Sequence, residues 1–227
     1  MTTKHRLSIF NLQLSIHHIV LCIIIANNFC YAQQLTPVQG SNGKYGYVNV
    51  KGDTVISFRF DTANPFSENL AAVRHVNGRW GYMDKNGKMA IPFKYDTAYA
   101  FNEGLAKVEM NKKWGYINKD GKATLPIKYA QVGDYSEGLI PIEINGVWGY
   151  FSKKGIELIT ARYLAADAFH EGLARVKDGD KFGYINKKGI LILPLVYDDA
   201  ENFKGDYAKV QVNGAWRTIN KSGVIVE

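Results

Sequence analysis

Cysteine is nearly absent from this chain, since only Cys22 and Cys30 occur among its 227 residues. Both lie within the first 32 residues, so the remainder can form neither a disulfide nor a thiolate metal site. Histidine is scarce in that remainder too, where only His75 and His170 occur. The sequence contains no glycine-rich phosphate loop, metal-spaced His/Cys cluster or Gly-x-Ser-x-Gly motif. These absences predict a protein that is not an enzyme and uses no cofactor or metal.

The first 32 residues have the pattern of an export signal. Lys4 and Arg6 precede an apolar run at residues 16–25, and Cys30-Tyr31-Ala32 closes the segment. The apolar run is shorter than the roughly 20 residues that a membrane span needs. We therefore expect residues 1–32 to be a signal peptide cleaved after Ala32, with an uncleaved anchor as the alternative. The protein is then exported, whether periplasmic, at the cell surface or secreted, with no stable membrane insertion after cleavage.

The charge of the chain is modest once that segment is removed. Loss of Lys4 and Arg6 lowers the formal net charge from +7 to +5. This charge is spread over a long chain and forms no basic cluster. The composition therefore predicts no nucleic-acid partner, and it leaves the oligomeric state open.

An aromatic-glycine pair recurs through the rest of the chain at intervals of 35, 34, 34, 34 and 34 residues. The positions are Tyr45-Gly46, Trp80-Gly81, Trp114-Gly115, Trp148-Gly149, Phe182-Gly183 and, with arginine in place of glycine, Trp216-Arg217. A constant period over six copies is the signature of a repeat architecture. We divide the chain into the signal peptide at 1–32, a short linker at 33–39 and a repeat domain of about five and a half units at 40–227.

Local chemistry within each unit indicates strands and not helices. Asn-Gly, a hairpin turn sequence, stands just before the aromatic in several units, as at Asn145-Gly146. The segment before that turn alternates, with Ala106 and Val108 on one face and Lys107 and Glu109 on the other. We therefore predict an all-β fold in which each unit is a three-stranded antiparallel meander with one wet face on its incoming strand.

Units of this size cannot bury an apolar face alone, so neighbouring units are expected to stack. The two ends of the sequence duplicate the aromatic-glycine strand, and the first unit lacks an incoming strand. The ends therefore do not complement each other as they do in many closed rings. An open tandem array is the predicted architecture, and a small β-propeller is the alternative.

Residues 40–227 resemble the WG-repeat family of bacterial proteins. Lys113 to Gly121 gives Lys-Trp-Gly-Tyr-Ile-Asn-Lys-Asp-Gly, and Tyr95 to Val108 contains Tyr-Asp followed by Phe-Asn-Glu-Gly-Leu-Ala. The departures include Tyr45 and Phe182 in place of tryptophan and Arg217 in place of glycine. The resemblance implies an exported or surface-associated β-repeat protein. It implies no established activity and no catalytic residues.

Two sets of residues are candidates for a ligand or partner surface. The aromatic columns offer ring planes to a sugar or a cation, or else form the core between units; they are Trp80, Trp114, Trp148, Trp216, Tyr82, Tyr116, Tyr150 and Tyr184. The lysine ladder offers charge to an anionic envelope polymer, or else keeps the array soluble; it comprises Lys85, Lys119, Lys153, Lys187 and Lys221.

These observations support three hypotheses about function. The first is a non-enzymatic binding or scaffolding protein that contacts a partner protein or an envelope polymer. The second is a glycan-binding module that uses exposed Trp and Tyr rings. The third is a structural surface protein without a discrete ligand. The recurrent acids, such as Glu68 and Asp96, are interpreted as turn-capping groups, because catalysis needs one acid/base pair and not a copy in each unit.

Overall fold

The computed structural model describes residues 34–226, and the expected signal peptide with its cleavage at Ala32 lies outside them. Within this range the chain is all-β, with 21 strands in six small antiparallel sheets that follow one another along the sequence. Among these residues there is no helix that is long and apolar enough to cross a bilayer.

The sheets are numbered here from 1 to 6 in chain order. Sheet 1 contains β1 (Thr36–Gln39), β2 (Tyr45–Val48) and β3 (Thr54–Phe60). Sheet 2 contains β4 (Thr62–Ala63), β5 (Leu70–Arg74), β6 (Trp80–Asp84) and β7 (Met89–Tyr95). Sheet 3 contains β8 (Thr97–Ala98), β9 (Leu105–Met110), β10 (Lys113–Asn118) and β11 (Ala123–Tyr129).

The second half of the chain repeats this arrangement. Sheet 4 contains β12 (Leu139–Ile144), β13 (Val147–Ser152) and β14 (Glu157–Tyr163). Sheet 5 contains β15 (Ala165–Ala166), β16 (Leu173–Asp178), β17 (Lys181–Asn186) and β18 (Leu191–Tyr197). Sheet 6 contains β19 (Asp199–Ala200), β20 (Tyr207–Val212) and β21 (Ala215–Asn220).

The predicted meander is present in five sheets, as an incoming strand, an aromatic-glycine strand and an outgoing strand. Four sheets add a two-residue strand, such as β8, beside the incoming strand. This short strand directly follows the outgoing strand of the preceding sheet, so the chain passes from one sheet to the next with one residue between them. The two-residue strands were not predicted, because two residues show no periodicity.

The linker predicted at 33–39 is wrong, because β1 lies within it and pairs with β2 from Thr36↔Val48 to Gln39↔Tyr45. The first unit therefore has an incoming strand, and the repeat domain begins earlier than residue 40. The segment was missed because Thr-Pro-Val-Gln has a proline and only one large apolar residue. Because the first unit has this strand, the two ends of the sequence do not simply duplicate each other, as the sequence analysis expected.

The array is nevertheless open. Five apolar clusters lie at the five junctions between consecutive sheets. None of these clusters combines residues of sheet 1 with residues of sheet 6 in the described part of the chain. Each sheet thus packs on its sequence neighbours, as expected for a repeat protein with nearest-neighbour stabilisation.

Both faces of each interior sheet contribute buried side chains to an apolar junction, which corrects the prediction of one wet face. In sheet 2, Tyr82 belongs to the cluster shared with sheet 3, whereas the next residue, Met83, belongs to the cluster shared with sheet 1. Both side chains are 0% exposed. Alternation along the strand therefore sends successive side chains into two different junctions and not into core and solvent.

The glycine of the repeat has a steric role. The pairing of β13 with β14 shifts register between Trp148 and Tyr150, and this brings the outgoing backbone close to Gly149. A Cβ on Gly149 would lie 2.6 Å from the carbonyl oxygen of Ile159. In sheet 6, where the described chain ends before an outgoing strand forms, the equivalent residue is Arg217.

Candidate binding surfaces

The tyrosine column is buried and connects consecutive sheets. Tyr82, Tyr116, Tyr150 and Tyr184 are each 0–3% exposed. The hydroxyl of Tyr82 donates a hydrogen bond of 2.8 Å to the carbonyl of Tyr99, in the segment that leads into the next sheet. The other three donate in the same way to a carbonyl 17 residues further on, at 2.6–2.8 Å.

Aromatic contacts and electrostatics support this role. The rings of Tyr82 and Phe101 are 4.8 Å apart between centroids. Burial raises the pKa of the Tyr82 phenol far above its usual value, so the hydroxyl remains a donor at all physiological pH values. The candidate surface must therefore be corrected: the four tyrosines form the core between sheets, and burial leaves no ring plane for a ligand.

The tryptophan column lies nearer the surface. Trp80, Trp114 and Trp148 are half-buried, and Trp216 in the last sheet is 44% exposed. A cation lies over Trp114. The Nζ atom of Lys107 is 5.9 Å from the ring centroid of Trp114 and 4.6 Å from the ring centroid of Tyr99. The tryptophan column is therefore partly covered in three of its four members and is not a fully exposed ladder.

Three lysines of the ladder pair with glutamates of the preceding unit. The Nζ of Lys119 lies 2.8 Å from Oε2 of Glu68, and that of Lys187 lies 2.8 Å from Oε2 of Glu137. Lys221 lies 3.9 Å from Glu171. For Lys85 and Lys153, no ion pair is found within residues 34–226. The ladder is therefore divided between paired and unpaired cations.

Glu68 and Glu137 each form a carboxylate clamp between two sheets. Both oxygens of Glu68 accept a hydrogen bond from the backbone N–H of Gly104, at 3.2 and 3.1 Å, in addition to the Lys119 contact. The hydrogen bond from Lys119 lowers the pKa of the Glu68 carboxyl most, and the Gly104 N–H contributes further. Glu68 adopts a left-handed φ of 51°, which is unfavourable for a residue with a Cβ. Glu68 and Glu137 therefore bridge two sheets, whereas the sequence analysis interpreted the recurrent acids as turn-capping groups.

The recurrent aspartates also link units. Each of three aspartates forms an ion pair with the basic residue that stands just before the aromatic of an aromatic-glycine strand. The pairs are Asp61 with Lys44, Asp96 with Arg79, and Asp198 with Lys181. The ion pairs give a structural reason for the acid at these three junctions, whereas Ala130 and Leu164 occupy the equivalent positions at the other two. No group of three or more potential metal ligands occurs within the described range.

One open cleft combines an aromatic ring with polar groups. A cleft of about 430 Å³ is lined by Trp148, Asp134, Asp167, His170 and Asn202, at the junction of sheets 4 and 5. Asp167 accepts a hydrogen bond of 2.7 Å from Arg175. A ring edge beside carboxylate and amide groups is suited to contacts with sugar hydroxyls.

The structure also reveals an aliphatic surface that the sequence analysis missed. In the last three sheets, two positions at the start of the outgoing segment carry exposed aliphatic side chains, at 43–58% exposure: Ile156, Leu158, Ile190, Ile192, Val224 and Val226. We call these six residues the aliphatic stripe. The equivalent positions are Lys88 and Ala90 in sheet 2 and Lys122 and Thr124 in sheet 3. Comparing the units column by column would have found the stripe.

Two residues of the stripe, Leu158 and Ile192, lie within terminal strands. In sheets 4 and 5, β14 and β18 are the terminal strands, so one side of each lacks a strand partner in the described chain. Lys153, Lys154 and Lys188 occupy the turns before the stripe residues and form no ion pair among residues 34–226. Long apolar edges are normally avoided in soluble proteins or used for contacts with other molecules.

Taken together, six stacked antiparallel sheets with shared junctions define a tandem β-repeat protein. The chain belongs to a family described as "WG containing repeat", which matches residues 45–80, 80–114, 114–148, 148–182 and 182–216. No curated protein matches the sequence.

Solved structures resemble the fold at low sequence identity. The chain is similar to a eukaryotic initiation factor, with a TM-score of 0.53, 11% identity, and coverage of 85% of this chain and 62% of that one. It is also similar to the computationally designed Ika8 protein, with a TM-score of 0.50, 9% identity, and coverage of 86% and 70%. These likenesses concern the fold alone. They agree with a tandem β-repeat protein.

Proposed function

We propose that this is an exported, non-enzymatic binding or scaffolding protein that holds a partner protein against its aliphatic stripe. The observation that carries the proposal is the exposure of six aliphatic side chains at equivalent positions of three consecutive sheets. Equivalent positions in stacked repeats form a row, so the stripe spans several units. The signal-like N-terminus supports export.

The surroundings of the stripe indicate the chemistry of the partner. Lys153, Lys154 and Lys188 border it without intramolecular carboxylate partners in the described chain. An apolar surface with an acidic rim is complementary to this arrangement, since rim charges steer association and buried apolar contacts supply affinity. An anionic polymer is less well matched, because Lys119 and Lys187 are already paired with glutamates.

The experiment is site-specific photo-cross-linking in the producing cell. A photoreactive residue at position 192 is expected to give one discrete protein adduct, whereas the same residue at position 124, the equivalent site in sheet 3, gives none. The substitutions Ile156→Lys and Val224→Lys, placed together with the probe at 192, should abolish the adduct while thermal unfolding stays unchanged. Equal adducts from positions 192 and 124 would contradict the proposal.

Two further measurements separate other occupants of the stripe. Binding of the purified protein to vesicles of phosphatidylglycerol, lost in Ile156→Lys/Val224→Lys, would assign the stripe to a membrane surface and overturn the partner-protein proposal. Self-association in sedimentation equilibrium that the same substitutions remove would assign it to a second copy of the chain.

Glycan binding is the second candidate, and the cleft beside Trp148 favours it. That cleft offers one ring edge and several hydrogen-bonding groups, which is enough for one or two sugar units. Co-sedimentation with envelope polysaccharide at low and high salt tests it. Pelleting that survives salt and is lost in Trp148→Ala supports this function, with Trp80→Ala as the matched control.

A further inference from the structure

The carboxylate clamp is formed at two of the five junctions and is not formed at the junction between sheets 1 and 2 within residues 34–226. At two later junctions the chain supplies a glutamate, Glu68 or Glu137, that bridges a backbone N–H and a lysine of the next sheet. In the sequence, the position one 35-residue repeat before Glu68 is residue 33. Residue 33 is glutamine, so the sequence provides no carboxylate for that position.

The receiving half of the clamp is nevertheless present at this junction. Asn69 occupies the position of Gly104 and Gly172, with a left-handed φ of 71° against 81° and 82° for the two glycines. Its backbone N–H donates to no residue in the 34–226 range. Lys85 occupies the position of Lys119 and Lys187, and within the described chain it has no acidic partner.

An open cleft lies at the same place. It has a volume of about 380 Å³ and is lined by Asn69 and Lys85 together with Leu35 and Val55. Asp84 also lines the cleft, but its Oδ1 accepts the N–H groups of Asn86 and Lys88 at 2.9 Å and closes its own turn. The cleft therefore combines two residues that carry donors, Asn69 and Lys85, with two aliphatic side chains, Leu35 and Val55.

We infer that this first-junction cleft binds a small organic carboxylate. Its oxygens are held by the Asn69 N–H and the Lys85 ammonium, as those of Glu68 are held by Gly104 and Lys119, and its apolar part packs on Leu35 and Val55. The site is independent of the aliphatic stripe, which belongs to sheets 4–6. Failure of either proposal therefore leaves the other intact.

The first test is a titration of the ¹⁵N-labelled protein with acetate, butyrate and hexanoate against chloride at equal ionic strength. The Asn69 amide resonance is expected to shift saturably with each carboxylate. Affinity should rise along the series, by roughly fourfold for each methylene that is fully buried. Lys85→Gln should weaken butyrate binding at least about tenfold, since it removes the charge-assisted hydrogen bond. Lys153→Gln, at the same turn position of sheet 4, should leave it unchanged.

The absence of a saturable Asn69 shift would overturn the inference, as would equal binding by Lys85→Gln. A second variant tests the underlying geometry at a neighbouring junction. Glu68→Ala vacates the equivalent arrangement formed by Gly104 and Lys119, so its thermal stability should fall and should recover in butyrate but not in chloride. A variant that butyrate does not rescue would show that this donor pair does not hold a free carboxylate, and the inference would fail.

Discussion

Sheets 4 and 6 use the same strand positions in different ways. Sheet 4 has a neighbour on each face, and there the aromatic-glycine strand carries Gly149 and the fully buried Tyr150. Sheet 6 is the last described sheet, and the equivalent residues are Arg217, which is exposed, and Thr218, which is half-buried. The glycine and tyrosine of the repeat are therefore present in sheet 4, where a described sheet packs on each face, and are replaced by polar residues in sheet 6.

The outgoing strand accounts for the glycine, and the following sheet accounts for the tyrosine. A Cβ at position 149 meets the backbone of β14, whereas no strand is described in the corresponding place beside Arg217. The Tyr150 hydroxyl donates to the carbonyl of Asp167 at 2.8 Å, in a segment that belongs to sheet 5. The two differences between sheets 4 and 6 thus have separate causes, which substitutions can separate.

Truncation of the buried ring should have the largest effect. Tyr150→Ala removes the ring from a close-packed junction and leaves a cavity, which costs about 3–5 kcal/mol. Thr218→Ala, at the same position of sheet 6, should change the free energy of unfolding by less than about 0.5 kcal/mol. Urea denaturation followed by circular dichroism measures both variants. Similar losses would show that sheet 6 also packs on a further element.

Glycine substitution should have the second largest effect. Gly149→Ala forces a Cβ against the carbonyl oxygen of Ile159 and the backbone nitrogen of Ala161, both at 2.6 Å, so backbone must move. We expect a loss of about 2–3 kcal/mol, typical of overpacking. Arg217→Ala should be neutral within about 0.5 kcal/mol. A tolerated alanine at position 149 would contradict the steric explanation of the repeat glycine.

Much of the fold can be predicted from the sequence, because its signals are local and recur in successive units. The constant period, the strand alternation and the Asn-Gly turns, which occur in four units, are local signals that recur along the chain, so a weak signal in one unit is supported by the others. The burial of both faces was not predictable in the same way. Lys107 and Glu109 look solvent-facing in sequence, yet Lys107 is half-buried, and its ammonium lies over the rings of Tyr99 and Trp114.

The candidate sites were less predictable than the fold. The sequence identified the lysine column and the glutamate column separately, but it could not show that Lys119 reaches Glu68, which precedes it by about one and a half repeats. It also could not decide whether the tyrosines or the tryptophans are buried, because both lie on one strand face. Their depth depends on the distance of each position from the centre of the junction, which only the stacked sheets define.

Removal of the Tyr150 hydroxyl alone isolates the polar part of the ring's contribution. Tyr150→Phe retains the ring contact with Phe169, whose centroid is 4.9 Å away, and leaves the Asp167 carbonyl without this donor. The expected loss is about 1 kcal/mol, the usual value for one hydrogen bond. Thermal unfolding should show a shift well below that of Tyr150→Ala. An equal shift would mean that the hydroxyl, and not the ring, fixes sheet 5 on sheet 4.

The smallest effect is expected at the carboxylate clamp, and it depends on pH. Partial burial raises the pKa of Glu137, but the hydrogen bond and charge of Lys187 and the N–H of Gly172 together outweigh it, so the pKa is lowered in the folded state. A carboxyl with a lowered folded pKa stabilises the protein above its unfolded pKa, near 4.3, and this contribution is lost as pH falls through the folded value.

Glu137→Gln should therefore lose less than about 1 kcal/mol at pH 7, because the pair is partly solvated. The difference from wild type should shrink as the pH is lowered below about 4. Glu171→Gln is the matched control, since its distance of 3.9 Å from Lys221 predicts a smaller loss at the junction with sheet 6. Urea denaturation at a series of pH values measures both. A loss for Glu137→Gln that stays constant down to acidic pH would show that packing of the side chain, and not its charge, joins sheets 4 and 5.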